Sequence, residues 1–202
     1  MAMRFLFLNG SVRGERSNTA TLLKHAAELL PAPSEFEQIT LTTFAGTVRE
    51  LAESLLRADA LLLATGVYWG SWGSPLQRFL EVITSYELSP CFLGKPAGVL
   101  VNMDSVGGSD VAQRLQGTLN LLGCTLPPLS SVVLSRTGLA LAGQPGFEDV
   151  FQLNDLAVAL ANLALCAQQP RPSWRTWDVE RVAELNGAFP HSGVLDIGLT
   201  RL

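Results

Sequence analysis

Five residues near the start of the chain, Ser11, Arg13, Ser17, Asn18 and Thr19, gather hydroxyls, a side-chain amide and a guanidinium into one short segment. They follow the apolar run Phe5-Leu6-Phe7-Leu8 and lead into an amphipathic stretch, so a strand, a polar loop and a helix come in that order. That order suits a phosphate, because a helix N-terminus offers unsatisfied N–H groups and the positive end of the macrodipole. Gly10 and Gly14 are expected to let the backbone approach the anion, and Arg13 or Arg16 to add charge-assisted bonds. The segment has neither the Gly-Lys-Ser/Thr ending of a nucleotide triphosphatase loop nor a Gly-x-Gly-x-x-Gly spacing. The same residues would also serve as an ordinary polar loop leading into a capped helix.

Two further loops carry unusual composition. Gly66-Val67-Tyr68-Trp69-Gly70-Ser71-Trp72-Gly73 mixes three aromatic rings with three glycines, which suits a flat conjugated ligand that stacks and accepts hydrogen bonds, or an aromatic cluster at a subunit interface. Asp104-Ser105-Val106-Gly107-Gly108-Ser109 would bring backbone amides to a ligand edge, or simply turn the chain.

Other chemistries find little support. A serine hydrolase on an α/β sheet needs a Gly-x-Ser-x-Gly elbow, and Gly107-Gly108-Ser109-Asp110-Val111 fails at the last position. His25 and His191 are the only histidines, and no His and Cys pair has metal-ligand spacing. No residue stands out as a chemical acid or base, and no catalytic or metal-binding residue is assigned.

The elements that must position these loops alternate between strand and helix. Strands are expected at Arg4 to Asn9, Glu35 to Leu41 (a polar edge), Ala58 to Thr65 (apolar on both faces), Ala97 to Met103 and Thr125 to Ser135. Helices are expected at Asn18 to Leu30 and after the capping box Thr47-Val48-Arg49-Glu50. Another begins at Ser74-Pro75 with Ser74 as cap, another covers Asp110 to Leu122 with Ser109 as cap and Gly123 ending it, and the last runs from Glu148 to Gln168. This alternation predicts an α/β fold, a doubly wound five-stranded parallel sheet with helices on both faces. With strand order 2-1-3-4-5 the three loops converge at the crevice where strand order reverses.

With 202 residues the chain suits one domain, here residues 1–168, followed by a tail over 169–202 in which Pro170, Pro172, Trp174 and Trp177 break the pattern. That tail would cover its own domain or reach a partner subunit. A net charge of −4 gives no basic footprint for nucleic acid or anionic membrane. Cys91, Cys124 and Cys166, odd in number and widely spaced, suit neither a disulfide framework nor a zinc site and point to the cytoplasm. The longest apolar run, Leu156 to Ala167, is too short to span a bilayer.

Gly10-Ser11-x-Arg13 through Ser17-Asn18, Gly66-x-Tyr68 through Ser74-Pro75-Leu76-Gln77-Arg78-Phe79-Leu80, Gly94-Lys95-Pro96-Ala97 and Gly107-Gly108 together resemble the flavodoxin-like NAD(P)H-dependent FMN reductase family over roughly residues 4 to 135. Where the common family pattern reads Pro-Glu-Tyr-Asn, this chain has Gly66-Val67-Tyr68-Trp69. The resemblance implies a flavodoxin-like fold, with the FMN phosphate held by Ser11, Arg13, Ser17, Asn18 and Thr19. It further implies isoalloxazine contacts from Val67, Tyr68, Trp69 and Gly70 on one side and from Ser105, Gly107 and Gly108 on the other. The activity implied is transfer of hydride from NADPH or NADH, through FMN, to a small acceptor such as a quinone, an azo compound or free flavin, by a homodimer or homotetramer. An electron carrier of the flavodoxin type, or a non-catalytic relative that uses the crevice for another ligand, are the alternatives.

Overall fold

The computed structural model describes residues 2–146 and 150–176. Five strands form one parallel sheet: β1 (Met3–Asn9), β2 (Ser34–Thr40), β3 (Ala60–Gly66), β4 (Ala97–Met103) and β5 (Ser131–Ser135), in the order β2-β1-β3-β4-β5. The helices are α1 (Asn18–Glu28), α2 (Val48–Arg57), α3 (Ser74–Ile83), α4 (Gly108–Leu121), α5 (Arg136–Leu141) and α6 (Asp155–Ala167).

The period of two along each strand sorts the core into two layers. Leu6 and Leu8 of β1, Leu61 and Leu63 of β3, and Val99 and Val101 of β4 meet Leu51, Leu55, Phe79, Ile83, Leu115 and Leu119 from α2, α3 and α4. Their neighbours Phe5, Phe7, Leu62, Leu100 and Val132 point the other way, onto Leu23 and Ala26 of α1 and Leu156, Leu160 and Leu163 of α6. A strand buried at every position, such as Ala60–Gly66, is required by this double cover, and it lies in the centre of the sheet.

Local chemistry fixes several boundaries as the sequence predicts. Thr47 caps α2 in a full capping box with Glu50, whose carboxyl is held below its ordinary pKa by the Thr47 N–H and hydroxyl. Gly123, with φ of 106°, follows the last turn of α4.

Other boundaries differ from the sequence reading. Gly73, not Ser74, caps α3, because its N–H is taken by Thr65 Oγ1 across the loop. Gly107 rather than Ser109 caps α4. β5 begins only at Ser131: Thr125 makes a single bridge to Pro96, and then the two prolines and Leu129, with φ of 56°, prevent pairing. Glu148 lies outside the described residues, and α6 begins at Asp155. Between β5 and α6, Ser135 accepts from the Gly138 N–H and starts the short α5, which the sequence reading did not include.

The described part of the tail lies on its own domain. A Cβ built on Gly94 would stand 3.1 Å from Nε1 of Trp174, so the indole rests directly on that backbone. Trp177 and His191 lie outside the described residues.

One buried charge ties the layers together. Lys95 is only 1% exposed, and its ammonium donates to the carbonyl of Leu55 in the last turn of α2, where the helix dipole favours a cation. Burial first, and the Arg171 charge second, push its pKa from 10.5 down to about 8. Between those values the unfolded chain holds a proton that the folded chain has released, so stability rises with pH across that window. Urea unfolding at about pH 7.5 and 9.5 should show this rise in the natural protein and a flatter response in Lys95→Met. Equal slopes would remove Lys95 as its source.

Candidate functional site

Register brings the strand ends level. Asn9 of β1 pairs with Thr40 and Ala64, and Gly66 of β3 pairs with Asn102 of β4, so the three loops leave one edge of the sheet side by side. They enclose a cleft of about 270 Å³ lined by Ser11, Arg13, Ser17, Asn18, Thr19, Gly66, Val67, Tyr68, Asn102, Met103, Asp104, Ser105 and Val106. It lies at the switch between β1 and β3, where open α/β sheets bind ligands.

The first loop is built around Asn9, which is fully buried. Its Nδ2 donates to the Gly14 carbonyl at 3.2 Å and its Oδ1 accepts from the Ser11 N–H at 3.1 Å. Gly14 adopts φ of 52°, and a Cβ there would come within 3.0 Å of Thr42 Oγ1. A Cβ on Gly10 would stand 2.6 Å from that of Leu76. Both glycines therefore serve the scaffold, letting the loop turn against Thr42 and α3 seat against β1. Neither glycine is among the residues that line the cleft.

Ser17 caps α1: its Oγ accepts from the Ala20 N–H at 3.0 Å and donates to the Gly14 carbonyl at 2.6 Å. The N–H groups of Asn18 and Thr19 precede the first intrahelical donor, the Thr21 N–H, which bonds the Ser17 carbonyl, and among the described residues they remain orphan donors at the cleft wall. Arg13 lines the cleft beside them, whereas Arg16 does not. Glu15, the acid within this loop, accepts from Thr40 Oγ1 on the β2 side, and Asp104 is paired with Arg136 at 3.0 Å. Glu15 is thus turned away and Asp104, itself on the cleft wall, is offset by Arg136, while one guanidinium and two N–H groups face an incoming anion.

Two contacts fasten the loops to each other. Ser11 Oγ and the Tyr68 hydroxyl are 2.9 Å apart, and the Val12 N–H donates to that hydroxyl at 3.3 Å. Thr19 Oγ1 donates to Asn102 Oδ1 at 2.6 Å, and the Val67 N–H donates to the Asn102 carbonyl at 3.0 Å.

Of the residues expected from sequence, Ser11, Arg13, Ser17, Asn18, Thr19, Val67, Tyr68 and Ser105 come together on the cleft wall. Trp69, Gly70, Gly107 and Gly108 stand outside that lining. Gly108 is buried, and a Cβ on it would meet Met103 Sδ at 2.8 Å, so it lets α4 seat closely on the sheet. Trp72 packs against the core, with its Nε1 donating to Gln77 Oε1 at 2.9 Å and the Arg114 guanidinium 5.0 Å over its ring. Asn102 and Met103 were missed by the sequence reading. The available signal was an amide ending an otherwise apolar strand, as Asn9 does in β1.

A larger hollow of about 560 Å³ opens at the other end of the sheet near Arg4, Glu35, Arg57 and Asp59, but its charges answer one another. Arg4 lies 3.7 Å from Glu35, Arg57 lies 3.4 Å from Glu37, and the Arg4 N–H donates to Asp59. Among the described residues no cluster of His, Cys, Asp and Glu could hold a metal, and no helix is long and apolar enough to cross a membrane.

The donor set fits a flavin mononucleotide, whose phosphate needs the guanidinium and helix N–H groups and whose ring needs the flat wall from Gly66 to Tyr68. No curated protein matches the sequence. Solved structures share the fold. RosB, crystallised with 8-demethyl-8-formylriboflavin-5′-phosphate, is 19% identical with a TM-score of 0.67, covering 93% of this chain and 87% of its own. An NADH:FMN oxidoreductase is 18% identical at 0.66, covering 84% and 92%. The NAD(P)H:acceptor oxidoreductase FerB of Paracoccus denitrificans is 18% identical at 0.56, covering 82% and 96%. The model of one family, described as NADPH-dependent FMN reductase, matches residues 3–138. With two thirds of its sequence under that match and the parallel sheet to go with it, the chain belongs to the NADPH-dependent FMN reductase family and is an FMN-dependent NAD(P)H oxidoreductase.

Proposed function

We propose that the cleft at the β1–β3 switch point holds FMN and that the protein reduces a small planar acceptor of the quinone class at the expense of NADPH. The observation that carries this reading is the convergence of Arg13 and the orphan N–H groups of Asn18 and Thr19 with the wall from Gly66 to Tyr68. FMN held there would supply the hydride chemistry that links the nicotinamide nucleotide to the acceptor.

The chain's own part is binding and orientation. Arg13 and the N–H groups of Asn18 and Thr19 hold the phosphate, and the dipole of α1 adds to their field. Asn9 keeps the loop that carries Arg13 in shape, and Asn102 keeps Thr19 and Val67 at a fixed spacing. Val67 and Val106 bring apolar surface to a wall otherwise rich in polar groups, leaving a place for the ring where water is a poor competitor. The side chains need not move a proton for hydride transfer, which agrees with a site made of hydroxyls, amides and a guanidinium.

The purified protein should be yellow and release FMN on denaturation, and it should oxidise NADPH only when a quinone is supplied. A colourless protein that takes up no added FMN would overturn the cofactor assignment. A yellow protein that leaves NADPH untouched in the presence of quinone would instead be an electron carrier.

A further inference from the structure

Tyr68 and Ser71 exchange two backbone hydrogen bonds, at 2.8 and 3.0 Å, closing a hairpin of two residues, Trp69 and Gly70. Both central residues are left-handed, with φ of 50° and 76°. Such a turn favours Asn-Gly, because asparagine tolerates positive φ and a bulky ring does not. Trp69 is nevertheless in the first position, and its side chain is fully exposed, with no ring contact or side-chain hydrogen bond among the described residues. Trp72, three residues on, shows the contrast: it is packed, hydrogen-bonded and covered by Arg114.

The turn that carries Trp69 is held firmly. Arg114 of α4 donates to the Gly70 carbonyl and is itself anchored by Asp110 at 3.0 Å. A strained position, a rigid mount and a large ring with no partner among the described residues together point to a contact with a bound molecule. The indole follows directly on Val67 and Tyr68 of the cleft wall, and Val106, 76% exposed, belongs to the facing loop. One ring set among glycine and serine offers too little apolar area for a protein partner. It does offer an electron-rich face to a single flat molecule.

We propose that Trp69 is the stacking platform for the electron-poor planar acceptor at the mouth of the cleft, a specificity-determining residue that makes no contact with the cofactor. The inference rests on the proposed oxidoreductase reading for the presence of such an acceptor. Loss of an offset-stacked pair corresponds to a weakening of roughly three- to tenfold.

The test compares the natural protein with Trp69→Asn and Trp69→Phe, using 1,4-naphthoquinone as the flat acceptor and ferricyanide as one that does not stack. Trp69→Asn should raise the KM for naphthoquinone about three- to tenfold relative to that for ferricyanide, and Trp69→Phe should recover most of it. Because asparagine suits the turn, the same variant should melt a few degrees higher, which a structural role for the indole would not allow. Tryptophan emission, recorded without NADPH, should be quenched by naphthoquinone in the natural protein and much less in Trp69→Asn. An unchanged KM ratio with unchanged quenching overturns the proposal, as does a shift of oligomeric state in Trp69→Asn, which would make the ring an interface residue. If the natural protein binds no flavin, the oxidoreductase reading fails separately, and Trp69-dependent quenching still decides whether the ring binds flat acceptors.

Discussion

An alanine at Gly14 should lower the melting temperature by roughly 4–10 °C and weaken FMN binding at the same time. The residue sits at φ of 52°, where a side chain is strained by about 1–3 kcal/mol, and the added Cβ also runs into Thr42 Oγ1. In a domain of this size each kcal/mol moves the melting point by about 2–4 °C. The strain would not stay local, because the Gly14 carbonyl accepts from Asn9, Ser17 Oγ and the Ser17 N–H. Moving that carbonyl disturbs the cap of α1 and with it the N–H groups of Asn18 and Thr19. Thr42→Ala in the same background should restore the part of the loss that comes from the clash and leave the part that comes from φ. Calorimetry and FMN titration on the single and double variants separate the two. A Gly14→Ala protein as stable as the natural one would show that the loop is not held as described.

Arg13→Ala should bind FMN about ten- to a hundredfold more weakly, since a hydrogen bond to a charged group contributes about 1.5–3 kcal/mol. Arg13 is the arginine on the cleft wall, whereas Arg16, three residues later, stands outside it. Arg16→Ala should therefore change the affinity by little. Raising the salt concentration should narrow the gap between the natural protein and Arg13→Ala, because an exposed charge pair is screened. Fluorescence titration of both variants at two salt concentrations tests this. Equal losses from the two substitutions would point to general electrostatic attraction instead of a specific seat at Arg13.

The sheet and its order were legible because β1, β3 and β4 carry apolar runs of the right length, β2 has the polar character of an edge, and each early helix carries its own punctuation. Thr47 and Glu50 begin α2 by a contact between residues three apart, which any reader of the sequence can see. The caps of α3 and α4 were not legible in this way. Gly73 is fixed by Thr65 on the far side of the aromatic loop, a tertiary contact that overrides the Ser-Pro pair beside it. The polar residues of the first loop do come together on the cleft wall, but the part each plays in the loop was not legible. Ser17 turned out to be a helix cap, and both glycines answer to neighbours within the fold. For Asn102 the sequence offered only an amide near the end of an apolar strand, and its role became visible with Gly66 beside it in the sheet and Thr19 reaching it from α1.

The fastening of the loops has a consequence for how the protein comes into being. Ser11 and Tyr68 are 57 residues apart in the chain, and Thr19 and Asn102 are 83 apart. No hairpin or neighbouring pair of elements can rehearse either contact, since β1 reaches β3 only after β2 and α2 have crossed over. Closing such long separations is slow, and it becomes favourable only when the parallel strands between them are already paired. The cleft therefore has no partial form: a nascent chain released before β4 contains all of the first loop yet lacks the asparagine that fixes its far end. A flavin that recognises the finished cleft recognises the completed sheet, and its capture marks the end of folding instead of guiding an early step.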